Sequence, residues 1–361
     1  MLKNIQYNQI HFIMLNFNET KMNKIVVHHV GNKNNAEYLN CSKHPLHLKD
    51  DFIKQILMQY FLNPFKTEAL YHLSDAESLD KNKVYELVSA IFDDAETFYD
   101  NSMAIAQFLF DSSNHPKIKG GEFYVVYFKD CQVEDEITDA IGLFKSENKE
   151  TYLKVFQRND DYQIATDDGI NISKLDKGCI IFNTNKENGY LATMVDNLNK
   201  TNEAQYWKED FLGLKPYQNS FYNTQSILNM TKEFCELALI EEEEISQKDQ
   251  LFLKDRSMKY FAEKDTFSQK DFESEVLQEP EIIEAFQHFK QQYINNENIL
   301  DTDEFGISKS ALNSAKKNFK SVVKLDKNFH LYIHGSPDLF EKGYDENRDM
   351  NFYKLFYNQE A

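Results

Sequence analysis

Residues 115–128 read HPKIKGGEFYVVYF, and the change of character inside this stretch decides the fold class. Before it the apolar residues recur at helical spacing. Phe52, Ile56, Leu57 and Tyr60 follow a capping Asp50 or Asp51 and stop at Pro64. Val84, Leu87, Val88 and Ile91 mark a second helix; Phe98, Ala104, Ile105, Phe108 and Leu109 mark a third, ended by Asn114-His115-Pro116. After Gly120-Gly121 come six strand-like runs, EFYVVYF, EITDAIGLF, TYLKVF, YQIAT, GCIIFNT and GYLATMV. Their links carry turn formers such as Asn159-Asp160-Asp161, Asp167-Asp168-Gly169 and Asn188-Gly189. Consecutive strands joined so closely predict an antiparallel meander.

Outward from that core, KIVVHHV (24–30) reads as a strand closed by Gly31-Asn32, and helices return over about 203–240. The glutamates at 241–244 suggest a boundary. Beyond it lie helical patterns at 246–263 and 280–294, a capping-box start at Ser268 with Asp271, and a hairpin from SVVKL and NFHLYIH. The expected fold class is therefore α+β, with helices packed on an antiparallel sheet, then a mostly helical C-terminal domain ending in a β-hairpin. The expected divisions are an N-terminal extension without fixed structure at 1–21, an α+β domain at 22–240, the helical domain at 241–344 and an amphipathic tail at 345–361. In that tail Phe352, Leu355 and Phe356 fit one helical face.

Composition narrows function. With 361 residues and a formal charge of −19, the chain as a whole repels nucleic acid and anionic lipid, so any polyanion contact must be local. The four cysteines, Cys41, Cys131, Cys179 and Cys235, are far apart and read as small hydrophobes in a reducing cytoplasm. No apolar run approaches the roughly 18 residues of a membrane span, and the start lacks a signal-peptide cleavage site.

One segment departs from the acidic background. Residues 308–327, SKSALNSAKKNFKSVVKLDK, hold six lysines against Asp326, whereas 233–304 hold twenty acids against seven bases. On a helix over about 308–319, Leu312, Ala315 and Phe319 share a face. At about 100° per residue, Lys309, Lys316 and Lys320 share the neighbouring one, with Lys317 on its flank. In the hairpin, alternation groups Val323, Leu325, Phe329, Leu331 and Ile333 on one side, and Lys324, His330, Tyr332 and His334 on the other. Lys309, Lys316, Lys317, Lys320, Lys324, Lys327, His330, Tyr332 and His334 are thus the candidate DNA-binding residues, with Lys117 and Lys119 as a secondary contact. Lysine is a point charge without a bidentate fork, and arginine occurs only at 158, 256 and 348, so little sequence preference is expected. The competing reading is that these lysines only solvate a helix and balance the acidic segment.

Other motifs carry less. His28 and His29 are adjacent on a strand and point to opposite faces, and His44 and His47 flank Pro45 in a loop, so no metal site is expected. Gly31-Asn32-Lys33 lacks the glycines of a phosphate loop, and HPKIKGG reads first as a helix-to-strand connection. GxSxG is absent, and Asp135, Glu136 and Asp139 carry little weight in so acidic a chain; neither catalysis nor a cofactor is expected.

As a set, KIVVHHVGNK, HPKIKGGEFYVVYF, the helix near Gln225–Glu236 and NFHLYIHGSP resemble the bacterial nucleoid-associated protein family of the NdpA type, in its Bacteroidetes-like form. The resemblance runs from about Met14 to the C-terminus, which makes residues 1–13 an extension or the product of a start codon chosen upstream. It implies association with the nucleoid in the cytoplasm and no catalysis, and it supplies no ligand residues. The resulting expectation is a protein that binds double-stranded DNA through a local lysine-rich face, with self-association as a further expectation. The alternative is an acidic interaction module that docks on a DNA-processing enzyme or architectural protein and reaches DNA indirectly.

Overall fold

The computed structural model describes residues 15–66, 69–133, 136–198, 206–236, 247–297, 301–316, 319, 321–325, 329–333 and 339–359. The chain separates into two compact units, Ile13–Tyr217 and Gln218–Ala361. The division falls before the helix at 220–236, whose Leu228, Phe234 and Cys235 join the second unit's core, and so precedes the glutamate run. Residues 1–14 lie outside the described residues; the structure begins within the expected extension, where Leu15 and Asn16 already pair with a strand.

In the first unit the order is β1 (Leu15–Asn16), β2 (Lys21–Val30), β3 (Leu39–Cys41), α1 (Asp51–Leu62), β4 (Tyr71–Leu73), α2 (Lys83–Asp93), α3 (Phe98–Ser112), β5 (Gly121–Val133), β6 (Glu136–Ser146), β7 (Glu150–Arg158), β8 (Asp161–Gly169), β9 (Lys177–Phe182), β10 (Leu191–Asp196) and β11 (Leu214–Pro216). A π-helical turn, Tyr206–Phe211, precedes β11. Sequence punctuation sets the helix ends: Asp50 accepts the Phe52 amide at 2.8 Å, and Asn82 caps α2 by accepting the Tyr85 amide at 2.8 Å.

The sheet runs β11-β4-β10-β9-β6-β5-β2-β3, with β1 added at the far end of β5, and its described pairings are antiparallel. Its central strands are covered on both faces. Phe123, Val125 and Tyr127 of β5 face α2, α3 and Trp207, while Tyr124, Val126 and Phe128 face α1, where Phe61 stacks on Phe144 at 4.3 Å. Two-sided burial explains why FYVVYF (123–128) is an unbroken run of apolar and aromatic residues without polar alternation. The expected meander holds for β5-β6 and β9-β10, but β7 and β8 leave the sheet and pair with each other.

The strings 31–32 and 115–121 form one joint. Asn32, fully buried, donates through its amide to His115 O at 2.8 Å and Ile118 O at 2.6 Å, and its Oδ1 accepts the Asn34 amide at 2.9 Å. Glu37 Oε2 accepts the Asn32 backbone N–H, and a Cβ at Gly120 would lie 2.3 Å from that oxygen. A Cβ at Gly121 would lie 1.9 Å from the Ser146 carbonyl oxygen, so this glycine is needed for the close backbone contact.

In the second unit the order is α4 (Ser220–Glu236), α5 (Gln247–Glu263), β12 (Thr266–Ser268), α6 (Gln269–Phe272), α7 (Pro280–Glu297), β13 (Glu304–Gly306), α8 (Lys309–Ala315), β14 (Ser321–Leu325), β15 (Phe329–Ile333), β16 (Phe340–Asp345) and β17 (Met350–Leu355). An aromatic core of Phe234, Phe261, Phe267, Phe272 and Phe286 ties its helices together. Ser268 starts α6 by accepting the Asp271 amide, as its spacing predicts. The tail departs from expectation. Phe352 and Leu355 belong to a strand paired with β16, not to a helical face, and the Phe352 ring lies over Gly343, where a Cβ would approach it to 2.4 Å. Three apolar residues at i, i+3 and i+4 are too few to define a helical stripe once a turn at 346–349 and a pairing partner are available.

Replacing Asn32 by Ala should leave the His115 and Ile118 carbonyls without their buried donor and cost about 2–3 kcal/mol. A urea titration that returns an unchanged midpoint for Asn32→Ala would remove the joint from this account of the fold.

Candidate nucleic-acid interface

The lysine-rich segment begins at α8, started by Ser308, whose hydroxyl accepts the Ala311 amide at 3.2 Å. Leu312, Ala315 and Phe319 are buried on the face that the sequence spacing assigns to them. Lys309 and Lys316 have different surroundings. The Lys309 ammonium donates to the carbonyls of Phe261 (3.3 Å), Ala262 (3.1 Å) and Lys264 (2.6 Å), with Asp265 at 3.7 Å. It therefore closes the C-terminal end of α5, where unpaired carbonyls and the helix dipole favour a cation. Lys316 is exposed and donates to Asn313 Oδ1 at 3.0 Å; no described carboxylate lies within ion-pair distance of it. Lys317, Lys320, Lys327 and His334 lie outside the described residues.

The β14–β15 ribbon pairs Val323 with Leu331, Lys324 with His330 and Val322 with Tyr332. Directly paired residues share a face, so positions 324, 330 and 332 fall together on one side of the ribbon, as alternation predicts. Leu325 and Leu331, on the other side, pack with Tyr353 against Leu251 of α5.

The secondary pair belongs to the other unit. Lys119 reaches Asn148 Oδ1 at 2.8 Å, Lys117 is exposed, and the carbonyls of their loop are taken by Asn32 and by Lys145. HPKIKGG is thus a helix-to-strand joint that leaves two lysine side chains at the surface.

Beside it lies a polar cluster that the sequence did not reveal. Lys145 and Lys177 are both fully buried. Lys145 donates to Lys119 O at 2.8 Å and pairs with Glu147 at 3.1 Å, while Lys177 holds both Asp196 oxygens at 3.0 and 2.9 Å. Tyr206 donates to Glu147 at 2.8 Å, and its ring lies 5.7 Å from the Lys145 ammonium and 5.4 Å from that of Lys177. Burial lowers the Lys145 pKa, and burial followed by the Glu147 charge pushes the Tyr206 hydroxyl well above its ordinary value. Tyr206, Glu147, Lys117, Lys119 and Asn148 also line a cleft of about 520 Å³. Lys145 stands near the end of β6 and Lys177 opens β9, and nothing in the local pattern distinguishes either from a residue at a solvated strand end.

Of the two adjacent histidines, His28 is buried and His29 exposed. His28 Nδ1 accepts the Ser42 amide at 3.3 Å, so Nε2 carries the proton and donates to Ser102 Oγ at 3.1 Å; that hydroxyl donates to Tyr99 O at 2.6 Å. Burial holds His28 at a pKa of about 4. No described helix is long and apolar enough to cross a membrane.

A protein-family model described as nucleoid-associated protein YejK matches residues 26–350. No curated protein gives a significant match.

Because His28 is neutral when folded and ordinary when unfolded, the unfolded chain binds more protons between pH 6.5 and about 4. Its contribution to stability is present above that window and is lost as pH falls through it, by about 2 kcal/mol between pH 7 and pH 5. Chemical denaturation of His28→Gln at the two pH values should show that difference largely removed; an identical pH response in both proteins would contradict the assignment.

Proposed function

The chain belongs to the nucleoid-associated protein YejK family, and we propose that it associates with the nucleoid by binding double-stranded DNA non-enzymatically and with little sequence preference. The proposed contact surface is α8 and the β14–β15 ribbon, with Lys316, Lys317, Lys320, Lys324 and Lys327 meeting phosphates and His330, Tyr332 and His334 beside them. Lys309 serves this surface from beneath by holding the end of α5 against α8. The observation that carries the reading is the shared face of positions 324, 330 and 332, opposite the apolar face that packs on α5, together with Lys316, which has no carboxylate within ion-pair distance among the described residues.

The electrostatics suit weak discrimination. Ammonium groups contact phosphate oxygens without reading base edges. The acidic remainder of the protein limits contact to local lysine-bearing patches, because a chain at −19 repels DNA over most of its surface. Lys117 and Lys119 belong to the other unit and are proposed as a secondary contact.

If about five phosphates are neutralised, the logarithm of affinity for duplex DNA should fall with the logarithm of salt concentration at a slope near −4.5. Charge reversal at Lys316, Lys317 and Lys320 should abolish that binding with the fold retained. Purified protein without a salt-sensitive interaction with DNA would favour docking on a DNA-processing protein instead.

Lys309→Ala separates support from contact. It should lower stability by about 1 kcal/mol through the lost helix-end bonds and leave the salt slope unchanged. A slope reduced by about one with full stability would instead make Lys309 a phosphate ligand.

A further inference from the structure

The β7–β8 ribbon pairs with no other strand of the described chain, and every residue from Thr151 to Asp168 is exposed. Nine residues per strand make an arm about 30 Å long. Two-stranded ribbons of this size are marginally stable alone in water, and this one carries large apolar side chains into solvent.

Its two faces differ. The paired residues Tyr152 and Asp167, Lys154 and Ala165, Phe156 and Gln163, and Arg158 and Asp161 form a face laced with charge, on which Lys154 and Asp167 make an ion pair. The opposite face pairs Thr151 with Asp168, Leu153 with Thr166, Val155 with Ile164 and Gln157 with Tyr162. Leu153, Val155, Tyr162 and Ile164 are 73, 64, 76 and 71% exposed, and the face bears one charge, Asp168, at the root of the arm. DNA is a poor occupant, because the arm holds Glu150 and four aspartates against Lys154 and Arg158.

We propose that this face is a homodimer contact, packing on the same face of a second copy about a two-fold axis. Isologous contact sets a surface against itself, and on a chain at −19 most surfaces would then oppose acid with acid. This face of the arm, whose one charge lies at its root, avoids this. With two arms antiparallel, Leu153 and Thr166 of one cover Val155 and Ile164 of the other, and the root of each arm meets the other's tip. Asp168 then faces the Gln157 amide and the Tyr162 hydroxyl, both hydrogen-bond donors, so the only charge on the face meets complementary groups. Two such ribbons stack at ordinary sheet-packing distance. This contact is independent of the DNA reading.

Sedimentation equilibrium of the full chain should show a concentration-dependent dimer. V155K/I164K and V155E/I164E should each be monomeric, with unchanged circular dichroism because both positions face solvent. An equimolar mixture of the two variants should restore the dimer. Phe156→Lys, on the charged face, should leave the wild-type dimer intact. A wild-type chain that remains monomeric overturns the proposal and assigns the face to a different partner, as would dimers that survive in both double variants, a mixture that fails to associate, or a Phe156→Lys variant that dissociates equally.

Discussion

A sheet enclosed on both faces leaves no inexpensive place for a charge, and that constraint arranges the first unit. The central strands β5, β6 and β9 send alternate residues into two separate cores, so neither side of the sheet is available as a binding surface. Polar chemistry is displaced to strand ends and loops. Where a charge does enter, as with Lys145 and Lys177, it is matched by a carboxylate, a carbonyl or the face of Tyr206, since an unpaired buried ammonium would be strongly destabilising. The acidity of the protein therefore resides on its periphery, and departures from it, the lysine-rich segment and the apolar face of the β7–β8 arm, stand out against that background.

Much of the architecture was legible because local signals and tertiary burial agree. Asp50, Asn82 and Ser268 sit where helices begin, and the helical periodicity of Val84, Leu87, Val88 and Ile91 matches the face buried on the sheet. The strand runs were legible for the same reason. Which strands pair was less so. TYLKVF and YQIAT have the same β-prone composition as their neighbours, and a strand's departure from the sheet depends on what lies above and below it, which sequence period does not encode. The tail failed in the opposite direction: its few apolar residues fit two periods, and the pairing partner decided between them.

The candidate interface divides similarly. Charge and alternation are properties of the string, so the clustering of lysines and the common face of 324, 330 and 332 could be read from it. What an individual side chain touches could not. Lys309 shares a helical face with Lys316, yet one closes the end of α5 and the other points to solvent. The distinction comes from α5, more than forty residues upstream, whose terminal carbonyls have no signature of their own. Asn32 is a parallel case: its amide crosses to a loop more than eighty residues away, and only the accumulation of glycines near 31 and 120 marks the meeting.

The enclosure of Lys145 and Lys177 extends to covalent chemistry. Acylating reagents and acetyl donors react with the free amine, which must be both uncharged and reachable, and these two amines are sealed beneath Tyr206 with their N–H donors committed to Lys119 O, Glu147 and Asp196. In the folded protein they are silent while surface lysines such as Lys316 are open to modification. Acetylation can thus reach surface lysines such as Lys316 without touching the scaffold, and acyl groups found at 145 or 177 would identify molecules modified before folding was complete.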